Sequence, residues 1–144
     1  MKIDQFNELD PLAQQELFKA CCGAEHWAKQ MIAKAPFASV EQLLYFADYI
    51  WENAHEQSWL EAFIHHSKIG SNYSHVNANQ KEQEEYKEKF GYPFIYSELE
   101  ITEKEILFLI TERLSNSEEE ELFVAIQEQQ KITKIKLVEL FREE

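Results

Sequence analysis

Glycine and proline are scarce in this sequence, three of each in 144 residues. A β-rich fold places turn residues about every 8–12 positions, so the scarcity argues against sheets and favours long helices. Cysteine is nearly absent too, and the two present, Cys21 and Cys22, are neighbours in the chain. Adjacent residues seldom reach disulfide geometry, which points to free thiols and a reducing compartment. Positive charge is in short supply: 14 basic against 27 acidic residues give a net charge of −13. Such a field repels phosphate backbones and anionic lipid, so neither nucleic acid nor a membrane surface is expected as a partner. An anionic small molecule would need a local cluster of Lys, Arg or His. No apolar run approaches the roughly 20 residues of a membrane span. The segment MKIDQFNELD lacks the basic-then-apolar layout of a secretory leader, and the last residues form no retention or peroxisomal address. A cytoplasmic location is the expectation.

What the chain does have is core. Hydrophobic residues make up 44%, with 10 Phe, 6 Tyr and 3 Trp, enough for one compact domain over residues 1–144. The punctuation is helical. Asp10-Pro11 reads as an N-cap with proline at the first helical position, and Leu12, Leu17, Phe18 and Cys21 follow at helical spacing until Gly23. A second run carries Trp27 and Met31 and ends near Ala35-Pro36. Ser39 to Gln42, Ser58 to Glu61, Thr102 to Glu105 and Ser117 to Glu120 read as capping boxes opening four more helices. Their apolar stripes are predicted to include Leu43, Leu44, Ala47, Ile50 and Trp51; then Leu60, Phe63 and Ile64; then Ile106, Leu107, Ile110 and Leu114; and finally Leu122, Ala125, Ile132 and Val138. Ser67 to Asn77 is rich in Ser, Asn, Tyr and Gly and reads as a loop. Residues 78–89 are polar and helix-favouring, and Phe90 to Tyr96 form an aromatic connector. The expectation is an all-α, single compact multi-helix domain.

Local chemistry alone names no reaction. His65 and His66 are adjacent, so on a helix they point about 100° apart and cannot converge on one metal; helix-end imidazoles beside the last carbonyls are the plain reading. His66 is the better functional candidate, because it precedes Lys68 at the junction with the expected loop. His26, His55 and His75 show no partner spacing. Cys21 and Cys22 read as small buried apolar residues rather than nucleophiles. The acidic run holding Glu82 reads as a solvated face, Arg113 and Asn116 as residues complementing a helix C-terminus, and Glu118 to Glu121 as a helix start.

Several strings in order carry a resemblance: LFKACCGAEHWAKQM, PFASVEQLLYFADYIW, WLEAFIHHSKIG, YKEKFGYPFI, ERLSN and EQQKITKIKL. Together they resemble the decarboxylases of 2-oxo-4-hydroxy-4-carboxy-5-ureidoimidazoline (OHCU), over about Phe6 to Leu137. The resemblance implies an all-α fold, often dimeric, that needs no cofactor or metal and converts OHCU to (S)-allantoin and carbon dioxide in urate breakdown.

Carried over residue by residue, the family's His-Pro-Arg-Ile-Gly motif falls on His66-Ser67-Lys68-Ile69-Gly70, giving His66 the catalytic role and Ser67 and Lys68 substrate contacts. Its Ser-x-x-Glu-Gln motif falls on Asn79 to Gln83, making Glu82 the catalytic acid residue beside Asn79 and Gln83. A substrate-contacting backbone segment falls on Phe94 and Ile95, and an arginine of the last helix becomes Lys136. Serine at 67, lysine at 68 and 136, and Glu98 and Glu100 in the segment after Ile95 depart from the family pattern. They leave a second reading open, a family-fold protein that binds a small metabolite or a partner without decarboxylating it.

Overall fold

The computed structural model describes residues 1–69, 79–98 and 100–142, with the backbone alone for 66–69. Among these residues there are eight helices and no strand: α1 Ile3–Glu8, α2 Pro11–Cys22, α3 Glu25–Ile32, α4 Val40–Glu52, α5 Glu56–Ile69, α6 Gln80–Phe90, α7 Glu103–Leu114 and α8 Glu118–Leu140. The longest, α8, lies against α2, α4, α5 and α6 and so serves as the central post of the fold.

The stop and start signals act as their chemistry requires. Asp10 accepts from the Ala13 amide at 2.8 Å, Pro11 opens α2, and Gly23 closes it in the left-handed region at φ 92°. Thr102 with Glu105 and Ser117 with Glu120 form reciprocal capping boxes. Ser39 caps α4 through the Gln42 amide, but Gln42 Oε1 accepts from the Ala38 amide rather than from Ser39, so that box is only half formed.

Two expectations at α5 need correction. The helix begins at Glu56 rather than Trp59: the Ser58 and Trp59 amides both donate to the His55 carbonyl, and Ser58 is buried. Glu61, expected to complete a box with Ser58, instead accepts from the Glu25 amide at the start of α3. The helix then continues through Ser67, Lys68 and Ile69, where a loop was expected. Serine keeps the backbone N–H that proline would remove, so nothing in the sequence stops the helix before Gly70. The rest of that expected loop, residues 70–77, lies outside the described residues, as does His75. The short α1 gave no sequence signal; it is held by Phe6, which is fully buried against Phe18, Phe37 and Phe141.

The core follows the predicted stripes in most places, including Phe18, Trp27, Met31, Leu43, Phe63, Ile106, Ile110 and Ile132, and on α8 it also takes in Leu137. Leu12, Ile64, Leu107 and Val138, expected in those stripes, are exposed. Each sits at the margin of an apolar arc, where spacing alone does not say how far the neighbouring helix reaches. The three tryptophans tie helices together: the indole N–H of Trp27 donates to Ala47, that of Trp51 to Ile126 and that of Trp59 to Trp51, at 3.2, 3.0 and 2.9 Å. A buried indole needs such a partner.

Candidate functional site

The residues singled out in the sequence lie on α5, α6, the connector after α6, and α8. Both α5 and α6 pack on α8. His66 lies on α5 one turn beyond Phe63, whose ring meets Tyr92 of the connector at 5.0 Å. The side chains of His66, Ser67 and Lys68 lie outside the described residues.

The end of α2 meets α5 at Gly23. A Cβ there would stand 2.6 Å from His65 Cβ, Cγ and Cδ2, so the glycine is required both for its positive φ and for the approach of the imidazole. His65 therefore packs on backbone. On one side of this contact lies an open cleft of about 690 Å³ that includes Lys19, His26, His55, Glu61 and His65 in its lining. The His26 and His55 rings stand 5.8 Å apart, a tertiary proximity with no trace in their sequence spacing. Among the described residues no group of three or more His, Cys, Asp or Glu could hold a metal.

Cys21 and Cys22 are buried. Burial pushes the Cys21 thiol up to about 11, with Lys136 working in the opposite sense, and the Cys22 thiol up to about 12. Neither is a nucleophile at neutral pH, as the sequence suggested. At pH 8 an ordinary thiol is roughly one-quarter thiolate, whereas Cys21 is about one part in a thousand. Native-state alkylation by iodoacetamide is therefore expected to be at least about 100-fold slower than in the unfolded chain; equal rates would show that the thiols are neither buried nor raised.

Lys136 is half-buried on α8 beside these thiols. Desolvation lowers its pKa, while Cys21, Cys22 and Glu139 act in the raising direction. One turn earlier Thr133 shares a hydrogen bond with Cys22 and accepts from Gln129 Nε2 at 3.2 Å.

Glu82 and Gln83 are half-buried in the first turn of α6. Asn79 precedes them at φ 56°, a left-handed conformation that asparagine tolerates, and its side-chain amide donates to the Glu103 carbonyl at 3.1 Å. Among the described residues no hydrogen bond or ion pair links Glu82, Lys136 and Ile95. Glu98 and Glu100 are exposed.

Phe94 and Ile95 are buried, and what fixes them is a group of charged residues that sequence reasoning assigned elsewhere. Arg113, read as a helix-end residue, is 5% exposed; Glu121, read as part of an acidic helix start, is fully buried. Arg113 Nε and Nη2 donate to Glu121 Oε2 at 2.8 and 2.6 Å, and Nη1 donates to the Ile95 carbonyl at 2.5 Å. The guanidinium lies 4.4 Å from the Phe94 ring centre. Tyr86 donates its hydroxyl to Glu121 Oε2, and Asn116 donates to Oε1 at 3.0 Å. Burial opposes the charge on Arg113, but the bonds to Glu121 and Tyr86 outweigh it and raise its pKa. Further along the connector, the Ser97 amide and hydroxyl donate to Glu128 Oε1 at 3.1 and 3.0 Å.

Comparison with known proteins bears on this architecture. The OHCU decarboxylase family model matches residues 7–85 and 78–138. The uric acid degradation bifunctional protein TTL of Arabidopsis thaliana is 32% identical over 88% of this chain and 47% of its own length. The uric acid degradation bifunctional protein of Bacillus sp. is 27% identical over 99% of the chain and 33% of its own length. The chain thus spans half or less of these two relatives. The 2-oxo-4-hydroxy-4-carboxy-5-ureidoimidazoline decarboxylase of Haloferax volcanii is 24% identical, covering the whole chain and 98% of that protein. A crystal structure of OHCU decarboxylase in the presence of (S)-allantoin superposes with a TM-score of 0.80 at 32% identity, over 90% of this chain and 99% of that one. With the family's pattern running through nearly all of its helices, this chain belongs to the OHCU decarboxylase family.

Proposed function

We propose that this protein decarboxylates OHCU to (S)-allantoin in urate breakdown. The observation that carries the reading is the agreement, over nearly the whole chain, with both the family model and an OHCU decarboxylase structure determined with (S)-allantoin. In the substrate the carboxylate leaves a ring carbon that also bears a hydroxyl, beside a ring carbon that is an imine. The carbon–carboxylate bond breaks, its electron pair forms a double bond between the two ring carbons, and the imine nitrogen takes a proton. The resulting enol then loses its O–H proton as the neighbouring carbon is protonated on one face. The imine accepts the electrons, so the chemistry asks no cofactor of the protein.

His66 suits the proton transfer, since an imidazole changes charge near neutrality. Glu82, half-buried at the start of α6, accepts from the substrate hydroxyl or ureido N–H groups. Lys136 supplies positive charge to the departing carboxylate, and desolvation lowers its pKa. A lysine is a point charge and cannot make the two-pronged grip of an arginine. Ser67, Lys68, Asn79, Gln83 and the Phe94-Ile95 backbone complete the proposed substrate contacts, with Asn79 contributing through groups other than the amide that already serves Glu103.

The test generates OHCU in place from urate with the upstream enzymes and follows (S)-allantoin by circular dichroism. Acceleration over spontaneous decay is expected; a rate equal to spontaneous decay would overturn the reading and leave a binding protein on this fold. The proposed location is the cytoplasm; among the described residues no helix is long and apolar enough to cross a membrane.

A homodimer is the proposed assembly. Tyr45 and Tyr49, with ring centres 6.3 Å apart, are more than half exposed, as are Phe108 and Phe123, apolar surface that a second copy would cover. Light scattering on the purified chain is expected to give twice the 17.1 kDa chain mass; a value equal to one chain would refute the dimer.

A further inference from the structure

The connector from Tyr92 to Ser97 has no secondary structure, yet Phe94, Ile95 and Tyr96 are buried. A buried irregular backbone must have its polar groups satisfied one by one. Ile95 is fully buried, and its carbonyl is taken by Arg113 Nη1. No described residue accepts from its amide N–H, which leaves a buried donor for a ligand to satisfy. Two residues on, the connector is tied again, by Glu128 to the amide and hydroxyl of Ser97. Arg113 is itself immobile, because Glu121 holds Nε and Nη2 while Tyr86 and Asn116 hold Glu121. A planar guanidinium is suited to this division, with one edge on a carboxylate and one arm on a carbonyl.

We infer that Arg113 is a positioning residue for the reaction: by fixing the Ile95 carbonyl it sets the plane of the adjoining peptide and so the aim of the Ile95 N–H at the substrate. The inference rests on the functional reading above and adds to it a residue that touches no reacting atom. Lysine at 113 would keep the charge opposite Glu121 but has a single ammonium, which cannot hold Glu121 edge-on and reach Ile95 at once. The connector would then be released while the helices remain paired.

The experiment compares Arg113→Lys with Ile110→Val, a core truncation on the same helix that lowers stability without touching the connector. For each, the melting temperature, the kinetics of OHCU turnover and the dissociation constant of (S)-allantoin are measured. Arg113→Lys is expected to weaken (S)-allantoin binding and raise KM about tenfold, while Ile110→Val leaves both within twofold. Equal effects in the two variants, or an Arg113→Lys protein that loses only melting temperature, would overturn the positioning role and leave the decarboxylase reading intact. A wild-type protein that neither turns over OHCU nor binds (S)-allantoin would remove both. Should Arg113→Lys not fold, hydrogen exchange of the Ile95 amide in the wild type decides. Protection that appears only with (S)-allantoin supports the inference, and an amide unaffected by the ligand overturns it.

Discussion

Glu121→Ala is expected to lower the melting temperature by about 10 °C or more, the largest loss of stability from any single polar substitution in this chain. The magnitude follows from what is left behind. Glu121 is fully buried and accepts from Arg113, Tyr86 and Asn116, so its removal strands a guanidinium, a hydroxyl and an amide at once. Removing one partner of a buried ion pair typically costs about 3–5 kcal/mol, mostly the penalty of the orphaned charge, and about 1 kcal/mol moves the midpoint of a domain this size by roughly 3 °C. Glu25, by contrast, pairs with Lys29 at 3.8 Å on the surface, both side chains about half exposed or more. Solvent screens such a pair, and Glu25→Ala is expected to shift the midpoint by less than a degree or two. Calorimetry on the two variants checks the contrast. A double variant, Arg113→Met with Glu121→Leu, should recover part of the loss, since it removes the orphaned charge but still leaves the Tyr86 hydroxyl and the Ile95 carbonyl without these partners. A Glu121→Ala protein that melts within 2 °C of wild type would mean that the three donors find other partners and that the buried pair does not lock the connector.

That same pair shows where the sequence stopped being readable. Pro11, Gly23, Thr102 and Ser117 announce helix ends because capping is local chemistry, settled within four residues. Arg113 and Glu121 sit near such ends, and the local explanation, charges complementing helix termini, was sufficient and incomplete. Their burial is decided by Ile95, Phe94 and Tyr86, up to 35 positions away, and no periodicity carries that information. In the string CCGA the helix stop at Gly23 is legible, but not the close contact the glycine makes. That contact, with His65, required the packing of α2 on α5. The reverse holds for the proposed site. Ser67, Lys68 and Lys136 are visible in the sequence as departures from a family motif, and the structure adds the half-buried setting of Lys136.

The neighbours His65 and His66 provide the sharpest separation of packing from chemistry. His66→Ala is expected to reduce the enzymatic rate by about 100-fold to 10,000-fold, the range that a positioned general acid or base supplies, with the melting temperature little changed. His65→Ala is expected to do the opposite. Its imidazole fills the space over Gly23, so truncation opens a gap between α2 and α5 and lowers stability, while kcat/KM stays within a few-fold. The two residues are neighbours on one helix, where successive positions are rotated by about 100°. Any general disturbance of α5 would therefore strike both variants alike. Turnover kinetics and thermal melts on both proteins distinguish the cases. Should His65→Ala abolish turnover while His66→Ala remains active, the catalytic imidazole is His65, and the cleft holding His26 and His55 is where the substrate must be sought.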